Sequence, residues 1–142
     1  MRVAVNRRGG SALDTRALRK TCLKALKAEG TRRDTVLSVS ALSGDEIEDL
    51  NRRYLASDGP TDVIAFPMGE ESKEGFLLGD VVICPEYIAG KWEEYGVEEG
   101  RELEFVAIHG ILHLLGYDDQ DEEGALKMDR RQREILGLVG GS

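Results

Sequence analysis

The chain holds two histidines, and both fall in one short stretch, HGILHLLGYDD at 109–119. Residues four apart on an α-helix share a face, so His109 and His113 can aim both imidazoles at one point. Gly116 suits the end of such a helix, where a left-handed residue turns the chain back sharply. That reversal would carry Asp119 toward the same point. Two imidazoles and a carboxylate make three ligands for a divalent ion, leaving the fourth position of a tetrahedral zinc site open to water. Asp118 is the nearest rival for the third place. The plainer alternative is a pair of half-buried helix histidines satisfied by polar neighbours.

Gly110 stands where the zinc metalloprotease motif H-E-x-x-H puts its general-base glutamate. Without that carboxylate, peptide hydrolysis by the usual route has no proton acceptor, which argues against a protease. A glycine inside a helix costs around 1 kcal/mol relative to alanine. Its presence suggests close approach of another backbone or of a ligand.

These residues need a scaffold, and the hydrophobic pattern supplies one. MRVAVN alternates as a first strand and TVLSVSAL as a second. Between them a helix is expected from near Asp14 to Glu29, stopped by Gly30. Its apolar side carries Leu18, Cys22, Ala25 and Leu26, while Arg16, Lys20, Lys24 and Lys27 form a basic stripe elsewhere on the cylinder. SGDE at 43–46 is a capping box that opens a helix through Ile47, Leu50 and Tyr54. TDVIAFP (61–67) reads as a short strand closed by Pro67. A loop rich in Glu and Gly follows, then the strand LGDVVIC, and the two strands are expected to pair as an antiparallel hairpin with a long connection. Pro85 suits the first turn of a helix containing Ile88 and Trp92. A longer helix starting near Glu98 carries the histidines and stops at Gly116, and a last one spans about 121–138. The expectation is a single α+β domain over 1–138, a small mixed sheet with about five helices and the metal site at the end of a long helix, followed by a flexible tail at 139–142.

At 142 residues the chain can bury one core without disulfides. The two cysteines, Cys22 and Cys84, sit in apolar settings and read as reduced core thiols of a cytosolic protein. No apolar run nears the roughly 20 residues of a membrane helix, and the amino terminus lacks a signal peptide's apolar region. Net charge is −8, but residues 1–53 sum to +5 and residues 54–142 to −13. The basic first third can present a positive surface despite the acidic whole.

HGILHLLGYDD resembles the H-G-x-L-H-L-x-G-Y-D-H signature of the YbeY-type endoribonucleases, bacterial proteins of ribosomal RNA maturation. The likeness extends to LNRRYLASDGPTDVIAFP (50–67), LGDVVI (78–83) and the acidic helix containing Met128. Together they cover roughly residues 35–136 in order. The resemblance implies a cytoplasmic α+β domain with one Zn2+ ion and no organic cofactor, acting as a metal-dependent, single-strand-specific endoribonuclease. Its implied role is 16S ribosomal RNA 3′-end processing and ribosome quality control, with ribosomal RNA and the small ribosomal subunit as partners and no membrane.

Two departures bear on chemistry. The family's third ligand is a histidine, and Asp119 stands in its place. A carboxylate is an acceptable zinc ligand, but its charge weakens the ion's Lewis acidity and relaxes the preference for zinc over harder ions. An arginine implicated in the family's activity is matched by Leu55, which cannot neutralise phosphate. No catalytic residue is therefore assigned, and a weakly catalytic or non-catalytic ribosome-assembly factor with a structural metal is the alternative. Candidate RNA contacts are the stripe Arg16, Lys20, Lys24 and Lys27, with Arg32, Arg33, Arg52 and Arg53. Thr61 and Asp62 are expected to fix the strand start or the cleft wall.

Overall fold

The computed structural model describes residues 1–7, 13–55, 59 and 61–139. Strands β1 (Arg2–Arg7) and β2 (Thr35–Ala41) are joined by α1 (Thr15–Ala28), and α2 (Gly44–Leu55) leads to β3 (Val63–Ser72) and β4 (Gly75–Ile83). Helices α3 (Pro85–Ile88), α4 (Trp92–Tyr95), α5 (Glu102–Leu114) and α6 (Glu122–Leu138) complete the chain. The sheet order is β1-β2-β4-β3; β2 runs parallel to both of its neighbours, and β3 is antiparallel to β4. The expected α+β domain with a small mixed sheet is what forms.

Alternation along the strands divides the core. Leu37, Val39, Val81 and Ile83 join the main cluster with Leu18, Cys22 and Leu26 of α1, Ile108 and Ile111 of α5, and Met128 and Ile135 of α6. Ile64, Val82 and Cys84 meet Leu42 and Ile47 in a smaller cluster. Helix α5 is covered nearly all round, as a central helix must be. Each of its fully buried Ile and Leu side chains contributes roughly 1.5–3 kcal/mol. His109 and His113 lie on a half-exposed strip of it.

Local signals mostly hold. Asp14 caps α1 by accepting from Ala17 N at 3.0 Å. The capping box closes both ways, Glu46 N to Ser43 Oγ at 3.2 Å and Ser43 N to Glu46 Oε1 at 3.1 Å. Both cysteines are buried and unbridged.

Three expectations are corrected. Pro67 does not close its strand: β3 runs on to Ser72, pairing irregularly between Pro67 and Glu70, and the connection to β4 is a tight turn rather than a long loop. Proline is tolerated because β3 is an edge strand, where a missing N–H need not break the ladder. Ser72 Oγ donates to Gly75 O at 2.7 Å and closes that turn. The helix expected around Ile88 and Trp92 is two single turns, because left-handed Gly90 (φ 81°) separates them. This split raises the helix count to six among the described residues. Finally, α5 begins at Glu102 rather than near Glu98; the Glu102 carboxylate accepts from Gly100 N at 2.6 Å and Gly90 N at 3.2 Å, tying down the preceding turns. Of the expected tail, 140–142 lies outside the described residues, as do 56–58 and 60 of the segment before β3.

Candidate metal centre

Helix α5 brings the two histidines together as their spacing requires. Their Nε2 atoms are 3.1 Å apart and their rings stand at 82°. The helix then ends in a Schellman motif: Tyr117 N donates to Leu112 O at 3.0 Å and Gly116 N to His113 O at 3.1 Å. Gly116 takes the left-handed conformation (φ 100°) that this ending requires.

Beyond the reversal, each acidic residue has a separate task. Asp118 Oδ1 accepts from Gln120 N at 2.9 Å, a local turn that withdraws it from the histidines. Asp121 caps α6 through Gly124 N at 2.6 Å. Asp119 is left to point at the imidazoles, its Oδ2 3.6 Å from both Nε2 atoms. The loop is seated on α6 through Gly124, where a Cβ would lie 2.1 Å from Asp118 O.

The three donor atoms could hold a metal ion. A tetrahedral site with bonds of 2.0–2.1 Å has ligand–ligand edges of about 3.3 Å. The triangle here, with edges 3.1, 3.6 and 3.6 Å, has a circumscribed radius of about 2.0 Å. It therefore matches an ion of zinc's size to within a few tenths of an ångström. The donor set, two neutral nitrogens and one anionic oxygen, fits a borderline or moderately hard dication. The ligand side chains are 28–41% exposed, so one side of the triangle faces solvent.

Beside the triangle lies a cleft of about 370 Å³ lined by Asp62, Tyr95, Phe105, Met128, Asp129 and Gln132 among others. Tyr95 OH donates to Asp62 Oδ2 at 3.2 Å. Burial, reinforced by the Asp62 charge, pushes the Tyr95 phenol well above its ordinary range. Arg133 pins the same wall by donating to Tyr95 O at 2.7 Å and Gly96 O at 2.8 Å. Asp62 also receives Cys84 N on its carbonyl at 3.1 Å, so it fixes the strand start and forms cleft wall together.

Gly110 faces the sheet. A Cβ there would stand 2.6 Å from Val81 Cγ1 and 3.1 Å from Val63 Cγ2. The close approach is by sheet side chains, not by another backbone or a ligand as the sequence suggested. A glutamate at this position would enter the core, not the cleft.

The sequence model of the family described as Endoribonuclease YbeY matches residues 5–140. The chain belongs to that family. Among its relatives, an endoribonuclease YbeY of Bacillus cytotoxicus is 42% identical over 87% of this chain and 85% of its own length. That of Pelotomaculum thermopropionicum is 39% identical over 94% and 93%. The solution structure of TM1509 from Thermotoga maritima superposes with a TM-score of 0.63 at 29% identity, covering 98% of this chain and 89% of that one.

Within the YbeY frame, the basic residues singled out by sequence are scattered. Arg16, Lys20, Lys24 and Lys27 are exposed on α1. Lys20, Lys24 and Lys27 border a groove with Leu23, Leu138 and Val139 that shares no lining residue with the cleft. Arg33 is exposed, and its carbonyl accepts from the amino terminus. Arg32 is held between Asp34 and Glu71 and lies over the Phe76 ring. Arg52 pairs with Glu48 at 3.3 Å and Arg53 with Asp49 at 3.6 Å. Leu55, where the family resemblance implies arginine, is the exposed last residue of α2. Sequence reasoning missed Gln132, Tyr95 and Gly124. Gln132 carried a signal: it is the polar member of α6's buried stripe Met128, Gln132, Ile135 and Leu136.

Proposed function

We propose that this chain is a metal-dependent, single-strand-specific endoribonuclease, with His109, His113 and Asp119 holding one divalent ion, Zn2+ as the first candidate. The observation that carries this reading is the ligand triangle of zinc dimensions, open on one side and bordered by a cleft, in a chain of the YbeY family. The ion supplies positive charge that polarises a phosphoryl oxygen and strengthens the acidity of water. The protein's own contribution is positional: α5 aims two imidazoles, the 116–121 turn aims a carboxylate, and the Asp62–Tyr95 wall bounds where substrate lies. Asp119 makes the centre less cationic than three imidazoles would, so slower cleavage and tolerance of manganese are expected.

The relatives' activity extends by this proposal to ribosomal RNA, at the 3′ end of 16S RNA and in quality control of the small subunit, in the cytoplasm. No helix among the described residues is long and apolar enough to cross a membrane. The exposed stripe on α1, with Arg33, is the candidate for phosphate contact; Arg32, Arg52 and Arg53 would first have to leave their carboxylate partners.

A metal-loaded preparation, freed of contaminating nuclease, is tested on single-stranded RNA beside a His113→Ala control. Cleavage by the first and not the second is expected; identical behaviour of the two removes the nuclease reading. One observation favours a second reading, an RNA-binding assembly factor with a structural metal: no Lys or Arg is among the described residues that line the cleft. That reading requires ribosome association to survive a fold-preserving change at His109.

A further inference from the structure

We infer that Gln132 is a positioning residue for the metal centre: it fixes the tautomer of His109 and so presents the Nε2 lone pair to the ion. The inference rests on the metal reading above and adds a residue to it.

The logic is set by donors and acceptors. Gln132 is 4% exposed and sits on α6, facing α5. Its Nε2 lies 2.8 Å from Phe105 O, a carbonyl that can only accept. The amide NH2 must therefore face Phe105, which turns Oε1 toward His109 Nδ1 at 3.1 Å. An amide oxygen is also only an acceptor, so Nδ1 of His109 carries the hydrogen. Neutral His109 then has its lone pair on Nε2, and Nε2 is the atom that faces His113 and Asp119. One buried amide thus reads a main-chain carbonyl at one end and sets a ligand's protonation pattern at the other. Metal-ligating histidines ordinarily have such a partner on their second nitrogen.

The choice of an amide also has a charge consequence. Asp119 already places one anion in the triangle. A carboxylate at 132 would accept from the same Nδ1–H but would have no hydrogen for Phe105 O and would add a second negative charge behind the ligand. The neutral amide orients without doing so.

The test uses the full chain with zinc alone as probe. Long-range 15N–1H correlation spectra of the metal-free protein at pH 8.5 should show His109 protonated on Nδ1, and added zinc should leave that hydrogen in place. Gln132→Leu, nearly isosteric, should release the His109 tautomer and weaken zinc binding, by competition with a chromophoric chelator, by 10–100-fold. Gln132→Glu keeps an acceptor at Nδ1 but gives Phe105 O no donor, so it should hold the His109 tautomer and bind zinc more tightly than Gln132→Leu. Folding of each variant is read from its far-UV spectrum and thermal transition. His109 protonated on Nε2 in the wild type, unchanged zinc affinity in folded Gln132→Leu, or a Glu variant as impaired as the Leu variant would each overturn the inference. If Gln132→Leu does not fold, the His109 tautomer in the wild type and in the Glu variant decides alone. Wild type that binds no zinc overturns the metal reading itself, and this inference with it.

Discussion

The end of α5 and the outer side of α1 were both marked out by regular spacing, yet they are different kinds of object. At the end of α5, His109, His113 and Asp119 arrive from a helix and a loop and are backed by Gln132 from a second helix. Their atoms meet to within a few tenths of an ångström of zinc dimensions. Along α1, Arg16, Lys20, Lys24 and Lys27 share a surface because a helix repeats, and the end of α6 meets the three lysines only through Leu138 and Val139. Periodicity alone makes a stripe; a centre needs atoms from separate elements to be driven to one point by packing.

Removing a ligand should have the largest effect. His113→Ala should weaken zinc binding by more than the roughly 100-fold at which loss of a supporting partner ends. Equilibrium competition with a chelator measures it, and a smaller loss would mean that the triangle is not the binding site. Asp119→Asn should lose much of the affinity and Asp119→His recover it. Equal occupancy in the wild type and both variants, by metal analysis of purified protein, would transfer attention to Asp118 or to a two-ligand site.

Gly124→Ala tests whether packing aims the loop. Its added Cβ would meet Asp118 O, so destabilisation of about 1–3 kcal/mol is expected, read by denaturant titration, with weaker zinc binding beside it. On α1, reversing charge at Lys20 and Lys24 should weaken RNA binding only a few-fold at physiological salt. The log–log salt slope should flatten by about 1.4 if both lysines neutralise phosphates, and unchanged binding would leave the stripe a solvated face.

The smallest effect concerns the buried side of the same helix. Burial, with Glu104 nearby, pushes the Cys22 thiol up from 9.0 to about 12. The folded state therefore holds that proton where the unfolded chain has released it, so the contribution is complete below pH 9 and is lost as pH rises toward 12. Tyr95, also pushed up, acts in the same sense at higher pH. Stability measured from pH 8.5 to 10.5 should fall, and Cys22→Ala should make the decline shallower.

Much of this was written locally. The capping box at Ser43 and Glu46, the Asp14 cap and the α1 face bearing Leu18, Cys22, Ala25 and Leu26 are nearest-neighbour statements, and they formed as read. So did the helix bearing both imidazoles and the turn after Gly116. What escaped depended on partners distant in sequence. Pro67 and the glutamates after it look like a loop until β3 is seen to be an edge strand. Gly110 gave no hint that Val81 and Val63 crowd it. Asp118 and Asp119 differ by one position in a tight turn, and the Asp118–Gln120 bond together with the approach of Asp119 Oδ2 to both imidazoles decides between them. Gln132 was visible as a polar residue on an apolar stripe, but its partner lies 23 residues away.

The contact between Gly124 and the Asp118 carbonyl has a consequence for how this corner tolerates change. The span from His113 to Glu122 behaves as a ruler cut to one length, because both its ends are fixed by rigid cylinders and its middle rests on the second of them. A change of side chain at position 119, such as the histidine that the family resemblance implies there, is expected to leave the path of the loop unchanged. An inserted or deleted residue would move every later atom out of register. Lineages and protein engineers alike should find the identity of that ligand negotiable and its count from the helix end fixed.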